Sequence, residues 1–312
     1  MQTRNPWPEL PYDAWKETCS TLHLWTQVVG KVRLSQTPWL NHSWQVALYV
    51  TPRGLSTSTV SHGTEAFQID FDFIEHSLRV ETSRGATGRI QLEPKSVADF
   101  YAELMQLLEG LGVPVEIDEL PNELPEPIPF SKDRVHAAYD REYAQRFARA
   151  LLQVDRVLKR FRSGFLGKAS PVHFFWGSFD MAVTRFSGRS APRHPGGVPH
   201  LPDAVAQEAY SHEVSSAGFW PGGNGFDASF YSYAYPEPKG YRQAVVQPKA
   251  AGFDEKLSEF VLPYSAVQRS AEPDAELLAF LQTTYAAAAT AARWPREELE
   301  CALGNPGRVR AV

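Results

Sequence analysis

Apolar side chains spaced three and four residues apart predict four long helices in this chain. The clearest amphipathic stripe runs from Val97 to Leu111, and Ser96 followed by Asp99 is typical of a capped helix start. Gly112 marks the end of this helix. The same spacing predicts the other three helices over about residues 13–32, 140–163 and 274–293.

Strict alternation of apolar and polar positions predicts the strands. Phe67, Ile69, Phe71 and Phe73 alternate with mostly polar residues, which marks a strand with one buried face. A turn and residues 78–82 complete an antiparallel hairpin. Further strands are predicted at about 44–50, 90–92, 172–186 and 230–235, and a long Pro- and Gly-rich loop reaches to about residue 225.

The order of elements repeats in the two halves of the chain. It predicts an α+β fold of two similar helix–antiparallel sheet–helix halves. Nine residues separate Trp44 from Arg53 in the first half, and nine separate Trp176 from Arg185 in the second. We therefore expect an internal duplication, with the halves joined around a central groove. The competing interpretation is that this order of elements is common and that short matches arise by chance.

A proline-rich segment divides the two halves. Residues 121–129 carry four prolines and two glutamates, which is typical of a stiff, extended linker. We expect a first α+β repeat over 1–120, a linker over 121–136 and a second repeat over 137–312. The second repeat is longer because of a Pro-, Gly- and aromatic-rich insertion at about 187–229.

The composition argues against several classes of protein. Hydrophobic residues make up 43% and charged residues 21% of the 312, so the chain can bury a core. A formal net charge of −5 argues against nucleic-acid binding. Cys19 and Cys301 form no CxxC motif, and no apolar run is long enough to cross a membrane. With no signal segment at the start, we expect a soluble cytoplasmic protein.

Aromatic residues concentrate in one region of the second half. Residues 165–235 hold 14 of the 38 aromatic rings and only nine charged side chains, which is typical of a ligand-binding wall or of a buried insertion. Tyr231, Tyr233 and Tyr235 share one face of a strand, where they line a pocket or pack as core. The predicted ring contacts to a ligand are Trp176, Trp220, Tyr231, Tyr233 and Tyr235.

Isolated titratable groups in this region are candidates for acid–base chemistry. The predicted proton-transfer residues are His173, His212, Glu213 and Asp180. A hydrogen-bonded core histidine and a loop-stabilising hydrogen bond are the alternatives for His173 and for the His212–Glu213 pair.

Basic residues near the second long helix are candidates for binding an anion. The predicted anion-binding residues are Lys159, Arg162, Lys168 and Arg185, because such cations pair with carboxylates or phosphates. For Lys159, Arg162 and Lys168, at the helix end and in the loop after it, a solvated helix end is the alternative. The histidine spacing matches no standard metal site, so we predict no metal. The sequence indicates no cofactor, and whether one is used stays open.

Three stretches of the sequence carry a resemblance to a known family. They are LHLWTQ at 22–27, KASPVHFFWGSFD at 168–180 and FYSYAYPEP at 230–238. The chain resembles, over nearly its whole length, a bacterial family described only as a domain of unknown function. The resemblance implies no activity and no catalytic residue.

These features predict a protein that handles a small molecule. The leading hypothesis is an acid–base enzyme acting on an anionic or aromatic metabolite, with no nucleic-acid or membrane partner. A non-catalytic ligand-binding or carrier protein explains the same pocket, and an interaction module explains aromatic residues on an exposed loop. Whether the chain is an enzyme, its substrate and its oligomeric state stay open.

Overall fold

A computed structural model describes residues 6–223 and 225–310 of the chain. The four long helices predicted from periodicity are present within these ranges, together with shorter ones. The helices are α1 (Lys16–Gln36), α2 (Val97–Gly110), α3 (Arg141–Arg162), α4 (Asp203–Ala209), α5 (Tyr264–Arg269), α6 (Pro273–Ala291) and α7 (Arg296–Leu299).

The first half forms an antiparallel sheet of six strands. They are β1 (Tyr49–Thr51), β2 (Gly54–Ser56), β3 (Val60–His62), β4 (Glu65–Asp72), β5 (Ser77–Thr82) and β6 (Thr87–Gln91). The order is β1-β2-β4-β5-β6, with β3 paired to β4. Trp25 of α1 stacks on Phe100 of α2 with ring centroids 4.8 Å apart, and both rings are fully buried. The alternating residues Phe67, Ile69 and Phe71 are buried, which confirms the half-buried strand.

The second half forms another antiparallel sheet of six strands. They are β7 (His173–Phe175), β8 (Asp180–Ser190), β9 (His212–Gly223), β10 (Phe226–Tyr235), β11 (Gly252–Asp254) and β12 (Glu259–Pro263), in the order β11-β12-β10-β9-β8-β7. Met181, Val183, Phe219 and Phe230 are buried on the face that α3, α5 and α6 cover. The opposite face is therefore the one left to form cavities.

The two sheets meet through the backbone and share one hydrophobic core. Leu48 and Phe174 exchange backbone hydrogen bonds of 2.8 and 2.9 Å, so β7 joins the chain just before β1. Buried apolar side chains of both halves belong to one continuous cluster. The proline-rich segment packs on α1, where Gln27 donates to the Asn122 carbonyl at 2.9 Å and accepts from its amide at 2.8 Å. The domain boundaries given above stay a prediction.

The Ser96 cap is confirmed. The Asp99 amide donates to Ser96 Oγ at 3.1 Å, which satisfies one of the free amides at the start of α2. Gly112 follows the helix with φ of +75°, a conformation that favours glycine.

Two local predictions are wrong. The strand expected at 44–50 begins only at Tyr49, because the short 3-10 helix at Asn41–Ser43, with φ of 60° at His42 and 57° at Ser43, leads into a turn that continues through residues 44–46. The segment expected to be loop contains α4 and the 12-residue strand β9. No helix in residues 6–223 and 225–310 has both the length and the apolarity to cross a lipid bilayer.

Candidate functional site

Two adjoining cavities open on the free face of the second sheet. The one beneath α4, here the α4 cavity, has a volume of about 390 Å³. The other, bounded by Tyr12 and α1 and here the N-terminal cavity, has a volume of about 570 Å³. Both volumes lie in the range of small-molecule sites. The residues that line both cavities, here the shared wall, are Glu123, Gly177, Ser178, Asp180, Tyr210, Tyr231 and Tyr233.

Strand register brings the polar groups of the shared wall together. Tyr231 of β10 pairs with Gly218 of β9, and Gly218 pairs with Ala182 of β8, so these residues share one face. A Cβ at Gly218 would lie 2.4 Å from the Tyr231 hydroxyl oxygen. Only glycine therefore leaves room for the phenol to cross β9 and reach Asp180 on β8.

Asp180 is the buried centre of the shared wall. Its carboxylate accepts hydrogen bonds from the Ser178 hydroxyl and the Tyr231 hydroxyl. Burial raises the pKa of Asp180, and the two hydroxyl donors oppose that effect by stabilising the charged form. The preceding residue, Phe179, has φ of 58°, so the carboxylate follows a left-handed turn.

The tyrosines extend this network along β10. Tyr231 and Tyr233 stack with ring centroids 6.1 Å apart, and the Tyr233 and Tyr210 hydroxyls are 2.8 Å apart. Burial raises the pKa of all three phenols, that of Tyr210 to about 12, so they are neutral donors at physiological pH. Tyr235 lies outside both cavities and donates to the Pro192 carbonyl at 3.0 Å.

Glu123 enters the shared wall from the proline-rich segment. Burial, and next the charge of Asp180, raise the pKa of Glu123 from 4.5 to about 7. Its φ is 62°, and a Cβ at Gly177 would lie only 2.0 Å from its Oε1. No hydrogen bond to this carboxylate comes from the part of the chain that the structure describes. It is thus a strained and unpaired acid facing a cavity, which is a frequent property of functional residues.

A second acid and a histidine lie in the N-terminal cavity. Burial, then Asp180 and Asp254, raise the pKa of Glu259 from 4.5 to about 7. His23 contacts the Gly177 carbonyl through Nε2 at 2.8 Å, and because a carbonyl only accepts, Nε2 carries the proton. Burial lowers the pKa of His23 to about 4, so its ring is neutral at physiological pH.

The α4 cavity is covered by the segment that contains α4. Val198, Leu201, Val205 and Ala206 of this segment line the cavity. The Glu123 amide donates to the Pro199 carbonyl at 2.9 Å, and the Asn122 side chain donates to the His200 carbonyl. The same proline-rich segment therefore supplies an acid to the shared wall and fastens the cover.

Two predicted aromatic contacts also line the cavities. Trp176 is buried in the wall of the α4 cavity, and its Nε1 donates to the Val46 carbonyl at 2.8 Å. Trp220 is half-buried in the N-terminal cavity, 6.1 Å from the Phe226 ring. Phe219, its neighbour, is fully buried. Trp220 and Phe219 therefore form no exposed aromatic patch.

Three of the four predicted proton-transfer residues lie away from the cavities. His173 is buried against Trp44 and two other rings, and burial, then Arg33 and Arg162, lower its pKa to about 4. His212 contacts Ser211 Oγ at 3.1 Å. Glu213 is paired with an arginine and a serine, with the closest contact, to Arg189 Nη2, at 2.6 Å. Asp180 is the member of the set that lines both cavities.

The four predicted anion-binding residues line neither cavity. Lys159 pairs with Asp155 at 2.6 Å on the surface, and Arg162 donates to the Ser170 carbonyl at 2.5 Å. Lys168 Nζ lies 2.6 Å from Nε2 of His42, which lines the α4 cavity.

Arg185 lies on the opposite face of β8 from Asp180. Its guanidinium is 3.6 Å from the Phe161 ring centroid and 4.4 Å from that of Tyr285, and it donates to the Phe161 carbonyl. Burial lowers the pKa of Arg185 to about 10. This arginine is thus enclosed by aromatic rings within the core.

The patterns in the sequence did not indicate Glu123, Glu259, Tyr210 or His23 as site residues. Glu123 lies in a segment interpreted as a linker, and no spacing in the sequence connects it to Asp180. The one available signal for Tyr210 was its position next to the predicted His212–Glu213 pair. Within residues 6–223 and 225–310, no group of three or more His, Cys, Asp or Glu residues is arranged to hold a metal ion.

Comparison with known proteins identifies the family alone. The model of the family of unknown function DUF5996 matches residues 7–301, so the chain belongs to that family. No curated protein and no solved structure matches the chain.

Proposed function

We propose that this chain is a small-molecule enzyme whose acid–base groups are Glu123 and Asp180. The observation that carries the proposal is the pairing of two carboxylates of different character on one wall between two cavities. Asp180 is held in place by two hydroxyl donors, whereas Glu123 accepts no hydrogen bond from described residues. Catalytic acids and bases commonly have pKa values shifted in this way by burial and by a like charge.

The division of roles follows from the protonation of the two groups. With a pKa of about 7, Glu123 is partly protonated near neutral pH, so it can donate or accept a proton. Asp180 positions the Tyr231 and Ser178 hydroxyls and contributes the charge that keeps the Glu123 proton in place. Glu123 itself and Phe179, the residue before Asp180, both have positive φ. Backbone strain of this kind is concentrated at functional sites.

The alternative function is that of a non-catalytic carrier. Its support is the apolar wall of the α4 cavity, where Phe175, Phe186 and Val214 stand opposite the aliphatic side chains of the α4 segment. An anionic ligand has one support, Lys168, which lies beside the His42 and Phe186 side chains of the same wall.

We also propose that the two halves arose by an internal duplication and that they are joined around a groove. Each half has a long helix before a six-stranded antiparallel sheet. Arg33 and Arg162, near the ends of α1 and α3, each donate through Nε to a backbone carbonyl at 2.5 Å. Side chains of both halves, Trp44 and Trp176 among them, line the α4 cavity, which supports a groove between the halves.

An activity screen tests the enzyme proposal. Purified protein is incubated with a bacterial metabolite extract, and the mixture is followed by mass spectrometry over time. We expect wild type and Glu126→Gln to consume the same metabolites, and Glu123→Gln and Asp180→Asn to consume them at least about 100-fold more slowly. Glu126 is the matched control because it is an exposed glutamate of the same segment.

Two outcomes overturn the enzyme proposal. Unchanged turnover in both Glu123→Gln and Asp180→Asn assigns catalysis to other groups. A wild-type protein that retains a small molecule through purification and consumes nothing in the extract is a carrier. Circular dichroism of each variant establishes that the fold is intact.

A further inference from the structure

The charges around the shared wall are all of one sign. Glu123 and Asp180 line both cavities, and Glu259 lines the N-terminal cavity. No lysine or arginine among the described residues lines either cavity. Three carboxyl groups therefore face cavities in which no described lysine or arginine side chain neutralises them.

Two of these carboxyl groups also have free hydrogen-bonding capacity. Neither Glu123 nor Glu259 accepts a hydrogen bond from the part of the chain that the structure describes. A carboxylate removed from water without a partner is costly, and that cost is recovered when a cation with N–H donors binds beside it. Both groups line the cavities, so a bound ligand with N–H donors can use this vacant capacity.

The aromatic residues supply the second half of a cation site. Tyr231 and Tyr233 present stacked rings to both cavities, and Trp220 and Phe226 stand in the wall of the N-terminal cavity. Faces of such rings attract ammonium groups, most strongly where water is excluded. Carboxylates next to aromatic faces match the chemistry of an organic ammonium group.

The α4 cavity has a different character. Apart from the shared wall, its lining includes Phe175, Val205, Ala206 and Val214, which offer hydrocarbon surface. A ligand that reaches from the shared wall into this cavity therefore buries an apolar or aromatic portion there. One molecule can satisfy both environments only if it is amphipathic.

We infer that the ligand is an organic ammonium compound with an apolar or aromatic substituent. Its cationic nitrogen lies between Glu123 and Glu259 against the tyrosine faces, and its substituent lies beneath α4. This inference rests on the proposed function for the location of the site, and it assigns the class of substrate. It replaces the expectation of an anion with that of a cation.

Three probes of nearly equal shape test the charge preference. They are 2-phenylethylammonium, the neutral 2-phenylethanol and the anionic 3-phenylpropionate, each titrated calorimetrically at pH 8. We expect wild type to bind the ammonium at least about tenfold more tightly than the alcohol, and to bind the anion least. Glu123→Gln should weaken the ammonium by about tenfold or more and leave the alcohol unchanged. Glu126→Gln should match wild type with all three.

The outcomes separate this inference from the proposed function. Equal affinities for ammonium and alcohol, tighter binding of the anion, or no ammonium binding at millimolar concentration overturns the ammonium class. If Glu123→Gln still abolishes turnover in the metabolite extract, the enzyme proposal stands in each of these cases. If the ammonium binds as expected and no metabolite is consumed, the ligand class stands for a carrier and the enzyme proposal falls.

Discussion

The unpaired acid Glu123 should make the stability of the protein depend on pH in a specific direction. Its pKa is raised from 4.5 to about 7 in the folded state. Between these values the folded protein binds a proton that the unfolded chain releases, so the free energy of unfolding falls as pH rises. The contribution of Glu123 is present below pH 4.5 and is lost as pH passes through 7.

The size of the effect follows from the same two pKa values. Between pH 5 and pH 8, this single group should lower the free energy of unfolding by about 2.5 kcal/mol. Glu123→Gln keeps the shape of the side chain and the left-handed backbone, and it removes the titration. The variant should therefore gain about 2.5 kcal/mol over wild type between pH 5 and pH 8.

Urea unfolding followed by tryptophan fluorescence measures the effect. Wild type, Glu123→Gln and the exposed control Glu126→Gln are unfolded at pH 5 and at pH 8. The other acids, Asp180 and Glu259 included, titrate in every protein, so the difference between variant and wild type reports Glu123 together with its coupling to Asp180. The reasoning would be refuted if wild type and Glu123→Gln lost the same free energy of unfolding between pH 5 and pH 8. It would also be refuted if Glu126→Gln showed the same gain over wild type as Glu123→Gln.

Two further substitutions test the packing of the site. Gly30→Ala should lower the free energy of unfolding in urea by about 3 kcal/mol, because its Cβ would lie 2.2 Å from the indole nitrogen of the buried Trp176. The control Gly110→Ala, whose Cβ would have no atom within 4 Å, should change the free energy of unfolding by less than about 1 kcal/mol. Equal effects of the two substitutions would contradict the packing of Gly30 against Trp176. Tyr231→Phe should raise the pKa of Asp180, because the carboxylate loses a hydroxyl donor. A carbon-13 titration of the Asp180 carboxyl measures this change, and a midpoint that stays or falls would contradict the assigned hydrogen bond.

Local patterns in the sequence predicted the elements well where neighbouring residues decide them. The stripe from Val97 to Leu111 corresponds to α2, and the cap at Ser96 forms as expected. The strand expected at 44–50 begins only at Tyr49, because the left-handed residues His42 and Ser43 start a turn that continues through residues 44–46. Apolar composition alone does not reveal a left-handed turn.

The site was only partly predictable for a similar reason. Asp180, Tyr231 and Tyr233 could be predicted as site residues because they lie in an aromatic-rich, charge-poor region of the sequence. Alternation along β8 also separates Asp180 from Arg185, since five residues place their side chains on opposite faces. Glu123 could not be predicted, because a contact between residues far apart in the sequence brings it from the proline-rich segment to the shared wall. Local patterns in a single sequence do not indicate such a contact.

The cover of the α4 cavity has a consequence for how this protein can diversify. The proposed reactive groups are on β8 and in the proline-rich segment, whereas much of the apolar surface that selects a substituent comes from residues 198–210. Substitutions in that stretch can reshape ligand preference under selection without rebuilding the central strands. Because the Glu123 amide donates to the Pro199 carbonyl, insertions there must preserve one fixed point beside the proposed catalytic acid. Directed evolution of new specificities should therefore begin with the side chains of residues 201–206.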